Sequence, residues 1–398
     1  MSASARQRAA VLATFLAHGM LFASWTAHIP EVKARLGLSV TTLGTILLST
    51  PVGAICAMLI TSRLLPRLGS RRMVQVCVVG YCAGGPLVGI AGTPALLAVT
   101  LFAWGAFQGS LDVSMNTQAT TVEHAQGRRL MPLFHGTWSI GAFTGAGVGA
   151  AAVALHIGLT PQLLVLAAPV LAATALLSAS MIGDAQPAGV HSAHARARRF
   201  SRAAAALGAV AFAAMLCEGA SADWSAVYLR GSAHVGPGLA GLGYASFAVM
   251  MAAVRLGGGR LLERVPQQRL LPLLTAIATA GMTIALVTGG AAPALVGFAT
   301  LGAGVALVVP TLFTAAARLP GLETGVGIAV VSAMGWAGFV CGPPLIGVLA
   351  GLSSLRAALV VLPVLTLAIT VATARIGAAG GAPPPGDTPA AAVTTIDA

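Results

Sequence analysis

Charge is what this sequence has least of. Of 398 residues only 8% are Asp, Glu, Lys or Arg, and only 10 are acidic. Soluble domains carry about a quarter charged residues, so the composition excludes a soluble globule. A mean hydropathy of +0.89 points the same way. Cysteine is also scarce: the five, at 56, 77, 82, 217 and 341, all fall inside apolar runs. Their odd number excludes a closed disulfide framework, and none has the spacing of metal ligands. No Gly-x-x-x-x-Gly-Lys-Ser/Thr loop is present to cradle ATP. No His-Glu-x-x-His pair or nucleophile elbow marks an enzyme. Neither a metal nor another cofactor is expected.

Long apolar runs take the place of charge. Crossing a ~30 Å hydrocarbon core takes about 20 helical residues. Twelve runs qualify, at roughly 9–29, 39–62, 73–92, 94–119, 130–155, 161–182, 203–228, 238–259, 269–289, 291–317, 324–350 and 355–376. The first is read as a span and not a cleaved leader. All should be helices, because lipid offers no partner to an open backbone. The basic residues then set orientation. With the N-terminus in the cytoplasm, eighteen arginines fall on the inner side, against Lys33, Arg35, Arg230 and Arg356 outside. The basic balance of 22 Lys+Arg to 10 Asp+Glu is thereby explained as membrane orientation, without nucleic acid. The sequence predicts a multi-pass protein of a bacterial cytoplasmic membrane with both termini inside, a monomer in the bilayer.

The longest connection, residues 183–202, is rich in Gly, Pro, His and Arg and reads as a cytoplasmic linker. It divides the chain into six-helix units at 1–182 and 203–376, followed by a low-complexity, disordered tail at 377–398. An internal repeat supports the division. Leu64, Leu65, Arg67 and Arg72 map onto Leu261, Leu262, Arg264 and Arg269 at an offset of 197. The same offset carries Gly105 to Gly302, and Gly141 and Gly145 to Gly338 and Gly342. One register in three separated places indicates a duplicated unit. Small residues at i, i+4 suit close helix contact, and Pro343 and Pro344 are candidates to kink span eleven.

Twelve spans in two halves, with the basic loops "SRLLPRLGSRR" and "GRLLERVPQQR" after spans two and eight, resemble the major facilitator superfamily over residues 9–376. The family loop reads Gly-x-Leu-Ala-Asp-Arg-x-Gly-Arg-Arg. Leu64, Arg67, Gly69 and Arg71 match it, with Pro66 at the Asp position; in the second copy Gly259, Leu261, Glu263 and Arg264 match. The resemblance implies a gating role for Arg67, Arg71, Glu263 and Arg264. More narrowly, "GSLDVSMN" (109–116) and "GASADWSAVYL" (219–229) resemble spans four and seven of fucose permease-like proton symporters. In those symporters the fourth-span acid takes the proton and touches substrate, a role the match gives to Asp112. Their first-span acid has no counterpart in "SWTAHIP". Gly105 stands where many drug antiporters carry an Arg, and Gly145–Ala146 where they carry Gly-Pro. Both absences count against a drug/proton antiporter.

Ionisable residues inside the membrane cost about 2.5–3.5 kcal/mol each on insertion scales and mark pathways. Gln108, Asp112 and Asn116, at i, i+4, i+8, form a polar stripe. His135 in span five is expected near the level of Asp112, where an Asp–His pair could pass a proton. Glu218 lies in span seven, with Asp223 and Trp224 toward its outer end. Asp112, Glu218 and His135 are therefore the proton-coupling candidates. Gln108, Asn116, His18, Trp25, Asp223 and Trp224 are the substrate candidates. For Trp224 an interfacial anchor is the alternative, and Trp25 and His28 suit the outer interface. Arg255 can snorkel to water. Glu123 and Glu323 are expected to pair with loop arginines at the inner gate. The sum is a secondary transporter of a small polar solute working by alternating access with protons. A drug or metabolite exporter is the rival, and a non-transporting scaffold or receptor the alternative of another class.

Overall fold

The computed structural model describes residues 2–128, 130–184, 202–316, 319 and 324–380, and no strand occurs among them. Most of the expected linker, residues 185–201, lies outside the described residues, as do the tail beyond 380 and Glu323. The first half contains α1 (Ala3–Thr26), α2 (Ile29–Arg35), α3 (Val40–Leu47), α4 (Ser49–Ile90), α5 (Pro94–Gln126), α6 (Met131–Ala154) and α7 (Leu159–Leu177). The second contains α8 (Arg202–Gly231), α9 (Pro237–Arg264), α10 (Gln267–Thr288), α11 (Ala291–Val305), α12 (Val308–Ala316), α13 (Thr324–Leu352), α14 (Leu355–Ala358) and α15 (Val361–Gly380).

Eleven stretches are long and apolar enough to cross a bilayer, and one of them, Val40–Ile90, has 51 residues. A straight helix of that length would measure about 77 Å, more than twice the hydrocarbon core. It reverses at Gly69, whose φ of 75° and ψ of 154° only glycine adopts readily. The two arms run in opposite directions along α5. Thr50 and Ala54 back onto Gly105 and Gly109, whereas Gly80 and Gly84 face Phe107 and Trp104. Counted as two spans, this segment completes the expected twelve. α5 runs to Gln126, beyond the expected end at 119, and stops at Gly127 in the left-handed region. α13 continues as helix through Pro343 and Pro344.

The duplication is visible in the packing. A Cβ on Gly105 would overlap the Thr50 carbonyl oxygen, and one on Gly302 the Phe247 carbonyl oxygen. Positions 50 and 247 differ by the same 197 residues that separate the glycines. Gly141 lies equally close to the Leu16 carbonyl, and Gly338 to that of Phe212. Small residues thus let spans two and four, and one and five, meet backbone to backbone in each half.

The chain's two faces can be told apart by contacts. Gln126 Nε2 donates to the Ser4 carbonyl, putting the end of α5 beside the start of α1. At the opposite face the halves close on each other. Gly44 of α3 lies against the Pro343 carbonyl and Gly347 of α13, and Thr41 Oγ1 donates to the Gly347 carbonyl at 3.2 Å. Gly238 and Gly241 of α9 lie against Ala150 and Ala154 of α6. Arginines also cap helix ends at this face. Arg35 donates to the carbonyls of Gly89 and Ala91, and Arg356 to those of Leu286 and Val287.

Candidate functional site

Each half carries a polar cluster, and the second reaches across to α6 of the first. In the first, Gln108, Asp112 and Asn116 form the expected stripe on α5, all three half-buried. Asn116 Nδ2 donates to the Asp112 carbonyl at 2.8 Å and to its Oδ1 at 3.3 Å. No cation pairs with the Asp112 carboxylate among the described residues. His18 of α1 is buried beside this stripe. Its Nδ1 accepts from Trp138 Nε1 at 2.8 Å, which leaves Nε2 to donate to the Gln108 carbonyl at 3.3 Å. Both ring nitrogens are therefore occupied by the protein, and His18 offers none to a solute in this conformation. Its ring stacks on Tyr81, which stacks on Trp104, with centroids 5.7 and 5.1 Å apart.

In the second half, Glu218 of α8 is buried and lies 3.7 Å from Arg255 Nη2 of α9. The sequence let Arg255 snorkel to water; the guanidinium instead turns inward, and the cause is covalent. Pro310 has no N–H, so it cannot bond the carbonyl four residues back, which is that of Ala306, between α11 and α12. Arg255 Nε donates to that carbonyl at 3.3 Å, supplying the missing donor. Its Nη1 reaches across to Ser139 Oγ of α6 at 3.4 Å. A proline in span ten that strands a carbonyl was the available sequence signal for this partner. Tyr244 of α9 meets Phe22 of α1 edge-on at 6.1 Å, so aromatic contact also crosses between the halves.

The other candidates fall as follows. His135 is exposed on α6 and packs edge-on against Phe15 at 5.4 Å. It makes no hydrogen bond with Asp112; the charge facing it is Arg255, and the expected Asp–His pair is not formed here. Asp223 is half-buried with no hydrogen-bond or ion-pair partner among the described residues. Trp224 is fully buried, its ring against Gly44, so it is no interfacial anchor. Its Nε1, Ser225 Oγ and Tyr81 Oη are buried without partners among the described residues. Trp25 is buried too, and His28, expected at the interface, is enclosed between Gln162 Oε1 at 2.6 Å and Glu31 at 3.1 Å.

At the N-terminal face Arg67, Glu263 and Arg264 are exposed and Arg71 half-buried, with no ion pair among the described residues. Glu123 does not pair with a loop arginine either. Its Oε2 accepts the backbone N–H groups of Leu130 and Met131 and so caps the start of α6, a favourable place for negative charge. Near the loop that carries Pro66, Asp184, just past α7, accepts the Ser70 N–H at 2.7 Å and its hydroxyl at 2.6 Å. No group of His, Cys, Asp and Glu able to hold a metal occurs among the described residues. An apolar groove of about 180 Å³ between α1 and α7 holds none of the candidate residues and stands apart from both clusters.

These features agree with comparisons to known proteins. The profile of the Major Facilitator Superfamily matches residues 10–324. An uncharacterized MFS-type transporter of Yersinia pestis is 36% identical over 92% of this chain and 94% of its own length. The membrane protein MosC of Rhizobium meliloti is 30% identical over 92% of this chain and 89% of its own. In three dimensions the chain is similar to the nucleoside transporter NupG, with a TM-score of 0.73 at 11% identity, covering 94% of this chain and all of that one. A bacterial homologue of the human lysosomal transporter Spinster, inward-facing and occupied, aligns with a TM-score of 0.63 at 14% identity, covering 93% of this chain and 94% of that one. Twelve apolar spans in two repeated six-helix bundles, with one acid inside span four and another inside span seven, are thus the frame of a multi-pass membrane transporter, and the chain belongs to the Major Facilitator Superfamily.

Proposed function

We propose that this chain moves a small polar solute by alternating access, coupled to protons, across a bacterial cytoplasmic membrane. The observation that carries the reading is the half-buried carboxylate of Asp112, held only by its own helix and without a counter-cation among the described residues. An acid is tolerated inside a membrane where it borders water or a bundle interior. Protonating it removes a buried charge and so shifts the balance between conformations. Glu218 gives the other half its own protonatable group. Gln108, Asn116 and the unpartnered Asp223 add polar groups suited to a hydrophilic solute.

The closed α3–α13 and outer α6–α9 contacts support a conformation shut at the face opposite the N-terminus. The arginine count supports placing the N-terminal face in the cytoplasm, with 1–182 and 203–376 as the moving bodies, 183–202 as their linker and 377–398 as a cytoplasmic tail. Three of the four basic residues on the outer side, Arg35, Arg230 and Arg356, bond backbone carbonyls there. Their presence is thus accounted for without weakening the orientation.

The test begins with purified protein and a panel of sugars, polyols, nucleosides and amino acids, screened by thermal shift at acidic and neutral pH. The solute found is then followed into proteoliposomes. Asp112→Asn is expected to abolish uptake driven by a proton gradient and to leave counterflow exchange largely intact. Accumulation by Asp112→Asn at the wild-type level removes Asp112 from the coupling role.

A further inference from the structure

Arg255 is the one described residue whose side chain bonds three elements in this region: Glu218 of α8, the Ala306 carbonyl between α11 and α12, and Ser139 of α6. Only Ser139 belongs to the other half. The three separations, 3.7, 3.3 and 3.4 Å, are all long, so the guanidinium is shared among its partners and not clamped by any one. We propose that Arg255 is a positioning residue that reports the charge on Glu218 to the opposite bundle, its long bond to Ser139 tightening when Glu218 is protonated and loosening when Glu218 is ionised. This rests on the proton-coupled reading above.

A guanidinium stays charged under all conditions in a protein, whereas a carboxylate can be neutralised. With Glu218 ionised, charge is balanced within the second half, and the 3.4 Å bond to Ser139 contributes little. With a proton added to Glu218, the guanidinium loses its counter-charge. An uncompensated cation in a low dielectric needs every acceptor within reach. The Ala306 carbonyl is already engaged by Arg255 Nε, so the remaining acceptor is the Ser139 hydroxyl across the seam. Three other titratable groups face this cluster: His135 on α6, one turn before Ser139, Tyr244 on α9, and Asp223 further along α8. None of them is within ion-pair distance of Arg255. Leu256, next to Arg255, packs on Gly136 of α6, so the seam is already in contact at this level and needs little motion to tighten.

The experiment places spin labels at the exposed positions 133 and 260 of the full chain, as Leu133→Cys and Arg260→Cys, with Cys56 and Cys341 changed to Ser. Distances across the α6–α9 seam are measured in nanodiscs at acidic and neutral pH. The short-distance population is expected to grow as pH falls. Glu218→Gln should show the acidic distribution at both pH values. Ser139→Ala should shrink the pH-driven change in the population ratio about tenfold, the worth of one hydrogen bond to a charged group. Arg255→Lys should restore part of the response that Arg255→Gln loses. A wild-type response in well-folded Ser139→Ala, or a response persisting in Glu218→Gln, overturns the tether. If either occurs while Asp112→Asn still loses gradient-driven uptake, the tether alone is wrong. If Asp112→Asn accumulates solute normally, the coupling reading falls and takes the tether with it.

Discussion

Replacing Asp184 with alanine tests how the N-terminal face of the first half is held. The break at Gly69 makes Ser70 the start of a new helical arm, and a helix start leaves backbone N–H groups without partners. One oxygen of Asp184 takes the Ser70 N–H and the other its hydroxyl. Gln118 then donates to Ser70 Oγ at 2.7 Å and to the Ile182 carbonyl at 2.9 Å, and accepts the Ile182 N–H at 3.0 Å. One carboxylate and one amide therefore tie spans three, four and six together. A hydrogen bond to a charged group is worth about 1.5–3 kcal/mol. Two short ones to a half-buried carboxylate, discounted for its wet side, put the loss at about 2–3 kcal/mol. Melting of the purified chain in detergent, followed by loss of the monodisperse peak, should drop by a few degrees. Asp184→Asn keeps an acceptor for the N–H and should fall about midway. An unchanged melting point for Asp184→Ala, or equal damage from both variants, would refute the cap.

Three further outcomes follow from the packing. Gly105→Val and Gly302→Val push a side chain into equivalent carbonyls; each should cost about 1–3 kcal/mol by overpacking and lower folded yield to a similar degree. Arg356→Ala, which strips two carbonyls at the end of α10, should lower stability by about 1 kcal/mol, with Arg356→Lys recovering less than half in the same melting assay. Ser225→Ala removes a buried hydroxyl that has no partner among the described residues; it should raise stability by up to about 1 kcal/mol and the melting point slightly, whereas a clear drop would mean the hydroxyl is bonded.

The fold was legible because the bilayer imposes a coarse, local rule. Twelve apolar runs became spans, most of them with ends within a few residues though α1 starts earlier and α5 runs further than expected, and the 197-residue offset reappeared as the Thr50–Gly105 and Phe247–Gly302 contacts. The Asp112 stripe was legible for the same reason, since i, i+4 spacing is a property of one helix. Partnerships between distant residues were not. Arg255 was read from its depth alone and Glu123 from its charge alone. What each does depends on a carbonyl freed by Pro310 and on N–H groups exposed at Leu130 and Met131. His28 and Asp184 likewise answer needs set by other helices. The letters that would have helped are the prolines and glycines, which say where a backbone group goes begging.

The arginine caps carry this point into the history of the chain. Gly89 and Leu286 occupy corresponding places, 197 residues apart, and the carbonyls there are met by Arg35 and Arg356. Those two arginines do not correspond: one arrives ahead of span two, the other at the start of span twelve. Each copy thus presents a carbonyl at the same place and meets it with a cation from a different end of the unit. Twin bundles of this kind can therefore drift far apart in spelling while staying matched in what their backbones require.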